Sequence, residues 1–355
     1  MYKKLFIPGP THVDDEILEA MAIPMIGHRD TLYSDLHGEV VPKLKKLLNT
    51  AGHVYLSASS STGMMEGSVR NVVNNKVLMT DCGAFSKRWA QIAEFNGKEI
   101  DVIKVEMGQA ITPEMVDDYL SKGGFDAVCI THNETSTGVL NPLEEIGEII
   151  KEKYPDVLIL VDAVSSMAGT DIKVDDWGLD VVLAGTQKAF ALPPGLCVVT
   201  VSEKALERSA SVENTGYYFN FEVLEKYAVK NQTPATPAIS LINALNVQMD
   251  RIFEEGAENR FQRHNDMAEF VRGWAKKNFD LYSDEKYLSP TVTNVHNTRG
   301  IDVVELNAEL AKRGAMLSNG YGALKGKCFR IAHMGDLQVA DVKWLTEQID
   351  EILGL

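Results

Sequence analysis

From about residue 53 the chain alternates short apolar runs with segments of helical spacing, and this alternation constrains the fold more than any other feature. Val77-Leu78-Met79-Thr80 precedes a helix expected near Ser86 to Asn96. Ala127-Val128-Cys129-Ile130 precedes one from Leu143 to Lys153. Val157 to Val161 ends at Asp162, Val181 to Ala184 ends at Gly185-Thr186, and Leu196 to Val201 follows Pro193-Pro194-Gly195. Continuous apolar strands separated by helices require right-handed crossovers and a mostly parallel sheet covered on both faces.

The remaining segments divide the chain. The first ten residues read as an extended arm ending in a Pro-Gly-Pro turn. Asp14 to Met21 and Tyr33 to Leu48 have helical spacing, and a long helix is expected over Ser240 to Glu255. Beyond it, strands are expected near Pro290 to Val295 and Cys328 to Ala332, with a final helix near Val339 to Leu353. The expected domains are an arm (1–15), a large α/β domain (16–250) and a small α+β domain (251–355).

With 355 residues, 45% of them apolar, the chain can bury a core of that size. Its net charge of −15 argues against nucleic-acid binding, since the densest basic cluster, Lys43-Leu44-Lys45-Lys46, reads as a solvated helix face. The four cysteines, Cys82, Cys129, Cys197 and Cys328, form no C-x-x-C pair and predict buried thiols in a reduced, cytoplasmic protein, with no metal site. No apolar run is long enough for a signal peptide or a membrane span.

Ligands of open α/β sheets bind beyond the carboxyl ends of the strands. Asp162 and Lys188 follow two successive expected strands. Lys188 is read either as a solvated lysine or as a buried amine with a lowered pKa, suited to imine formation. Asp162 is either a helix N-cap or a partner for a cationic ring nitrogen. Together they match the amine and carboxylate that pyridoxal phosphate requires. Ser59-Ser60-Ser61-Thr62-Gly63 opens a helical segment expected from Met64 to Val73, which is either an ordinary cap or a phosphate cradle. Glycine-rich nucleotide motifs are absent from the sequence.

Four segments, taken together and in order, resemble the class V, fold-type I aminotransferases, most closely the alanine–glyoxylate, serine–glyoxylate and serine–pyruvate branch. They are Phe6-Ile7-Pro8-Gly9-Pro10-Thr11, His132 to Val139, Val161 to Ser166 and Gly185-Thr186-Gln187-Lys188. The resemblance implies pyridoxal 5′-phosphate as cofactor and a seven-stranded, mostly parallel sheet. It also implies a homodimer with shared active sites, acting on small amino acids and 2-oxo acids.

Residue by residue, Lys188 resembles the Schiff-base lysine and catalytic acid–base. Asp162 resembles the partner of the pyridine nitrogen. Phe85 matches the ring-stacking aromatic, which is tryptophan in many relatives, and Val164 matches the residue on the opposite face. Thr135 matches a hydroxyl near cofactor and substrate. Thr62, Gly63 and Gln187 match the phosphate site, and Thr236, with Thr233, a contribution from the neighbouring subunit. Arg330, in Phe329 to Gly335, resembles the substrate-carboxylate arginine, with Gly9 adding a backbone contact. His28-Arg29 is either structural or at the site's mouth, and His333 reads as structural.

Desulfurases of this fold usually carry histidine before the lysine, and aminoethylphosphonate transaminases asparagine, whereas this chain has Gln187. A non-enzymatic protein of this fold is the remaining alternative, and the resemblance to Lys188, Asp162 and Arg330 argues against it.

Overall fold

The computed structural model describes residues 3–355. The alternation seen in the sequence builds a seven-stranded sheet. Its spatial order is His53–Ser57, Cys197–Val201, Val181–Gly185, Leu158–Asp162, Ala127–Thr131, Lys76–Asp81 and Glu99–Lys104. Cys197–Val201 runs antiparallel to both of its neighbours; the other pairings are parallel.

The two faces of the sheet follow from the period-2 geometry of a strand. Val182 and Ala184 pack into one apolar cluster with Ile159, Val161 and the helix Ile239–Glu255. Val181 and Leu183 pack into the other, with Leu158, Leu160 and the helix Ser61–Val72. All five residues of Val181–Gly185 are buried, which is why this strand reads as an unbroken apolar run. At roughly 1.5–3 kcal/mol for each large apolar side chain buried, such a strand is held firmly in the centre of the sheet.

The second sheet has the order Lys4–Phe6, Ala315–Asn319, Cys328–Ala332, Val292–His296, Asp280–Leu281. Lys4–Phe6 pairs parallel with Ala315–Asn319, so the start of the extended arm is an edge strand of this sheet, with Phe6 in its core. The helices Ala257–Asn278, Val303–Lys312 and Val339–Leu353 cover it. Gly256, at φ 86°, breaks the chain between Ile239–Glu255 and Ala257–Asn278.

Expected and observed elements agree within a few residues, and the final helix spans the expected residues. The helix expected from Met64 begins three residues earlier, at Ser61. Ser60 is its extended N-cap, so the hydroxyl cluster runs into the first turn rather than ahead of it. All four cysteines are free and buried, and among the described residues no cluster of metal-binding side chains occurs. No helix is long and apolar enough to cross a membrane, among the described residues.

Candidate active site

Five segments that follow the carboxyl ends of parallel strands meet at one cavity of about 110 Å³. It is lined by Ser61 and Thr62 after His53–Ser57, by Phe85 and Arg88 after Lys76–Asp81, and by Asn133 and Thr135 after Ala127–Thr131. Asp162, Val164 and Ser165 come from the end of Leu158–Asp162, and Gln187 and Lys188 from the turn after Val181–Gly185. Parallel strands place all these ends on one side of the sheet, so residues distant in sequence converge.

Lys188 is 9% exposed. Its Nζ donates to the carbonyl of Pro8 and lies 5.7 Å from the centroid of the Phe85 ring. Burial lowers its pKa to about 8; the Arg330 charge adds to that effect, and Asp162 opposes it. On the other side of the lysine, the Thr11 N–H donates to the Gln187 carbonyl at 3.0 Å. The arm therefore lies across the lysine turn. Gly9 sits between these contacts with φ 112°, a conformation L-residues rarely adopt.

Asp162 is buried, with Oδ1 accepting from the Val164 N–H at 2.9 Å and Oδ2 from the Thr131 hydroxyl at 3.4 Å. Burial raises its pKa to about 7, against the lowering effect of the Val164 N–H. A cation brought into the cavity beside it would favour the ionised carboxylate.

Arg330 stands at the centre of Cys328–Ala332 and is 7% exposed. Its Nε donates to the Asn319 carbonyl at 3.1 Å and its Nη1 to the Thr135 carbonyl at 3.3 Å. Its Cζ lies 5.5 Å from the centroid of the Tyr321 ring. Burial lowers its pKa to about 10. Thr135 thus joins Arg330 to the cavity: its carbonyl holds the guanidinium, and its Oγ1 lies 2.5 Å from Ser165 Oγ.

The residues present fit a phosphorylated pyridine cofactor. Ser61 Oγ is buried and has no hydrogen-bond partner, and it belongs to the first turn of a twelve-residue helix whose N-terminus meets the cavity. The same cavity is lined by the buried amine of Lys188 and the buried carboxylate of Asp162.

Gly63 does not line the cavity; its N–H donates to the Ser60 carbonyl at 3.0 Å, within the helix's first turn. Thr233 and Thr236 lie in a separate surface groove with Leu56, Ser57, Tyr217 and Tyr218, so one chain alone does not bring them to Lys188. Arg29 bonds to the segment that carries Thr233: its Nη1 donates to the Thr233 carbonyl at 2.7 Å and its Nη2 to that of Pro234 at 3.1 Å. His333 is fully buried with Nε2 2.9 Å from Thr293 Oγ1, inside the small sheet's packing.

Two features escape the sequence reading. The buried Glu134 carboxylate accepts from the Phe85 N–H at 3.1 Å and the Ser86 N–H at 3.0 Å, capping Ala84–Phe95 and holding the backbone from which the Phe85 ring projects. Its signal is a carboxylate inside an otherwise uncharged stretch, His132 to Leu140. Arg88, three residues after Phe85 and on the same helix face, lines the cavity and donates to the Tyr321 hydroxyl at 3.2 Å.

The sequence model of the family described as Aminotransferase class-V matches residues 57–333. The chain is 40% identical over 340 residues to an uncharacterized aminotransferase of Methanocaldococcus jannaschii, covering 94% of this chain and 88% of that one. It is 34% identical over 347 residues to a serine–glyoxylate aminotransferase of Hyphomicrobium methylovorum, covering 94% and 85%. Its structure is similar to that of an alanine–glyoxylate aminotransferase from Nostoc sp., with a TM-score of 0.93 and 28% identity over 99% of this chain and 96% of that one. Both the fold and the sequence therefore carry one assignment: the chain belongs to the class V, fold-type I family of pyridoxal-phosphate-dependent aminotransferases.

Proposed function

We propose that this chain transfers the amino group of a small L-amino acid, alanine or serine, to glyoxylate or pyruvate. Lys188 is the reacting amine in this reading. The observation that carries it is the burial of Lys188 and Asp162 on one cavity, at the ends of adjacent strands, with Arg330 held next to that cavity by Thr135. The glyoxylate acceptors of the similar enzymes support the choice of acceptor.

Pyridoxal phosphate, when bound, supplies a carbonyl carbon that condenses with amines and a ring that takes up the electron pair left at Cα. Lys188 Nζ would hold it through that carbon. The depressed pKa keeps a neutral fraction of the amine near pH 7, so the same nitrogen can take the proton from the substrate's Cα and later return one. Asp162 would hold the proton on the ring nitrogen, and Phe85 and Val164 would pack against the ring. Ser61, Thr62 and Gln187 would receive the phosphate, completed by Thr233 and Thr236 of a second copy in a homodimer. Arg330 would take the α-carboxylate through two parallel N–H···O bonds, and a carboxylate there would share the region with the arm at Gly9.

The test is a panel of amino donors against glyoxylate and pyruvate, with the cofactor-loaded protein and with Lys188→Ala. Alanine or serine should be turned over by the native protein. The variant should lose turnover by several orders of magnitude. Near-normal transamination by folded Lys188→Ala, or no turnover of any small amino acid by the native protein, would overturn the reading.

A further inference from the structure

Arg260 is 1% exposed, an unusual position for a guanidinium. It lies in the first turns of Ala257–Asn278, outside the Lys188 cavity. Its Nε donates to the Ala168 carbonyl at 3.0 Å and its Nη2 to the Ala189 carbonyl at 2.8 Å. Its Nη1 donates to Asp336 Oδ1 at 2.9 Å, with Glu255 Oε2 at 3.3 Å.

Three of these acceptors, Ala168, Ala189 and Asp336, belong to the segments that carry Asp162, Lys188 and Arg330. Ala168 lies six residues beyond Asp162, Ala189 is the residue after Lys188, and Asp336 lies six residues beyond Arg330. The first two segments carry backbone strain: Ala168 has φ 66° and Ala191 has φ 57°, left-handed conformations that cost a non-glycine residue energy. The helix backbone adds a further tie to the third. His264 Nδ1 lies 2.7 Å from the Arg260 carbonyl, and its Nε2 accepts from the Gly335 N–H at 3.1 Å.

A buried arginine is not the economical way to fill this space, because its desolvation offsets much of what its ion pair contributes. What a guanidinium supplies and an apolar side chain cannot is a rigid planar fork with donors in fixed directions. We propose that Arg260 is a positioning residue that sets the placement of Lys188 relative to Asp162 and Arg330, by bonding in one plane to the segment that carries each. This inference rests on Lys188 and Arg330 being the reacting amine and the carboxylate anchor. Catalysis by positioned groups is sensitive to displacements of about 1 Å, which can cost on the order of 100-fold in rate.

The test compares native protein, Arg260→Lys and Asp336→Asn, each first shown to unfold cooperatively. Lysine keeps a charge opposite Asp336 but cannot reach three acceptors in one plane. In the cofactor-free chains, the pH dependence of Lys188 labelling by an amine-reactive reagent is followed by peptide mass spectrometry, with Lys98 as internal control. Lys188 is surrounded by Arg330, Asp162, Glu134 and Arg88, so its midpoint reports its placement among those charges. In Arg260→Lys the midpoint should move from about 8 toward the ordinary lysine value, with at least a threefold change in labelling rate at pH 8 and none at Lys98. In the loaded enzymes, kcat should fall at least tenfold in Arg260→Lys and less in Asp336→Asn, with KM changed by less than threefold. A folded Arg260→Lys with unchanged midpoint and kcat would overturn the proposal. So would a loss of stability accompanied by equal changes at Lys188 and Lys98. If the native protein transaminates no amino acid but the Lys188 midpoint still moves alone, the positioning role stands and the proposed activity fails.

Discussion

A β-carbon placed on Gly9 would stand 2.7 Å from both Cδ and Cε of Lys188. The arm and the lysine stem are therefore in such close contact that a β-carbon on residue 9 would force one of them to shift, and the φ of 112° separately favours glycine.

Gly9→Ala should consequently impair the site before it impairs the fold. The added methyl group must displace the lysine stem or the arm, and the left-handed conformation adds roughly 1–2 kcal/mol of strain. The expected result is a fall in kcat of at least tenfold with cooperative unfolding retained. Steady-state kinetics alongside thermal unfolding checks this; an unchanged kcat would mean that the contact is not needed for turnover.

The two buried titrating groups give the cofactor-free protein opposing pH dependences. Asp162 has its pKa raised to about 7 in the folded state, so the folded chain binds more protons than the unfolded one from about pH 4 upward. Stability conferred by the protonated carboxyl is present at low pH and lost as pH rises toward 7. Lys188 has its pKa lowered to about 8, so between about pH 8 and 10.5 the unfolded chain binds more protons, and stability rises with pH there. Each slope is at most about 1.4 kcal/mol per pH unit. Urea unfolding across pH 4–10 should show Asp162→Asn flattening the lower window and Lys188→Met the upper one. The opposite assignment would show that these groups do not titrate as their burial implies.

Arg330→Ala should weaken the amino donor and the 2-oxo-acid acceptor alike, because both present a carboxylate beside the reacting carbon. Charge-assisted hydrogen bonds are worth roughly 1.5–3 kcal/mol each, so losing the two together should raise KM by about two to four orders of magnitude. Arg330→Lys keeps charge but loses the two-pronged geometry and should be impaired as well. Titration with alanine, serine, glyoxylate and a small amine lacking a carboxylate distinguishes the cases. An equal response to all four would remove Arg330 from carboxylate binding.

In the proposed homodimer Thr233 and Thr236 would help bind the phosphate of a partner's cofactor, so dissociation should weaken cofactor binding. Sedimentation combined with cofactor titration over a range of protein concentrations measures both together. A cofactor-loaded, fully active monomer would contradict the shared site.

Much of this arrangement is legible in the sequence because it depends on local patterns. Apolar runs such as Val181 to Ala184 declare buried strands, and a strand's carboxyl end is where Asp162 and Lys188 stand. The antiparallel direction of Cys197–Val201 is not legible, since a buried strand reads the same in either direction. Nor is the pairing of Lys4–Phe6 with Ala315–Asn319, which joins residues over 300 positions apart.

By itself, then, the sequence determined the central strands of the large sheet, several of the helices beside them, and which segments bear the family's motifs. Each of these follows from side-chain periodicity and turn chemistry over a few residues. Only the tertiary structure decided that Glu134 caps the helix carrying Phe85, that Arg88 lines the cavity, and that Arg260 bonds to the three segments behind the site. The physical reason is that these are single polar contacts between distant segments. Their partners are chosen by directed hydrogen bonding in a dry interior, and no periodic pattern in the chain records that choice.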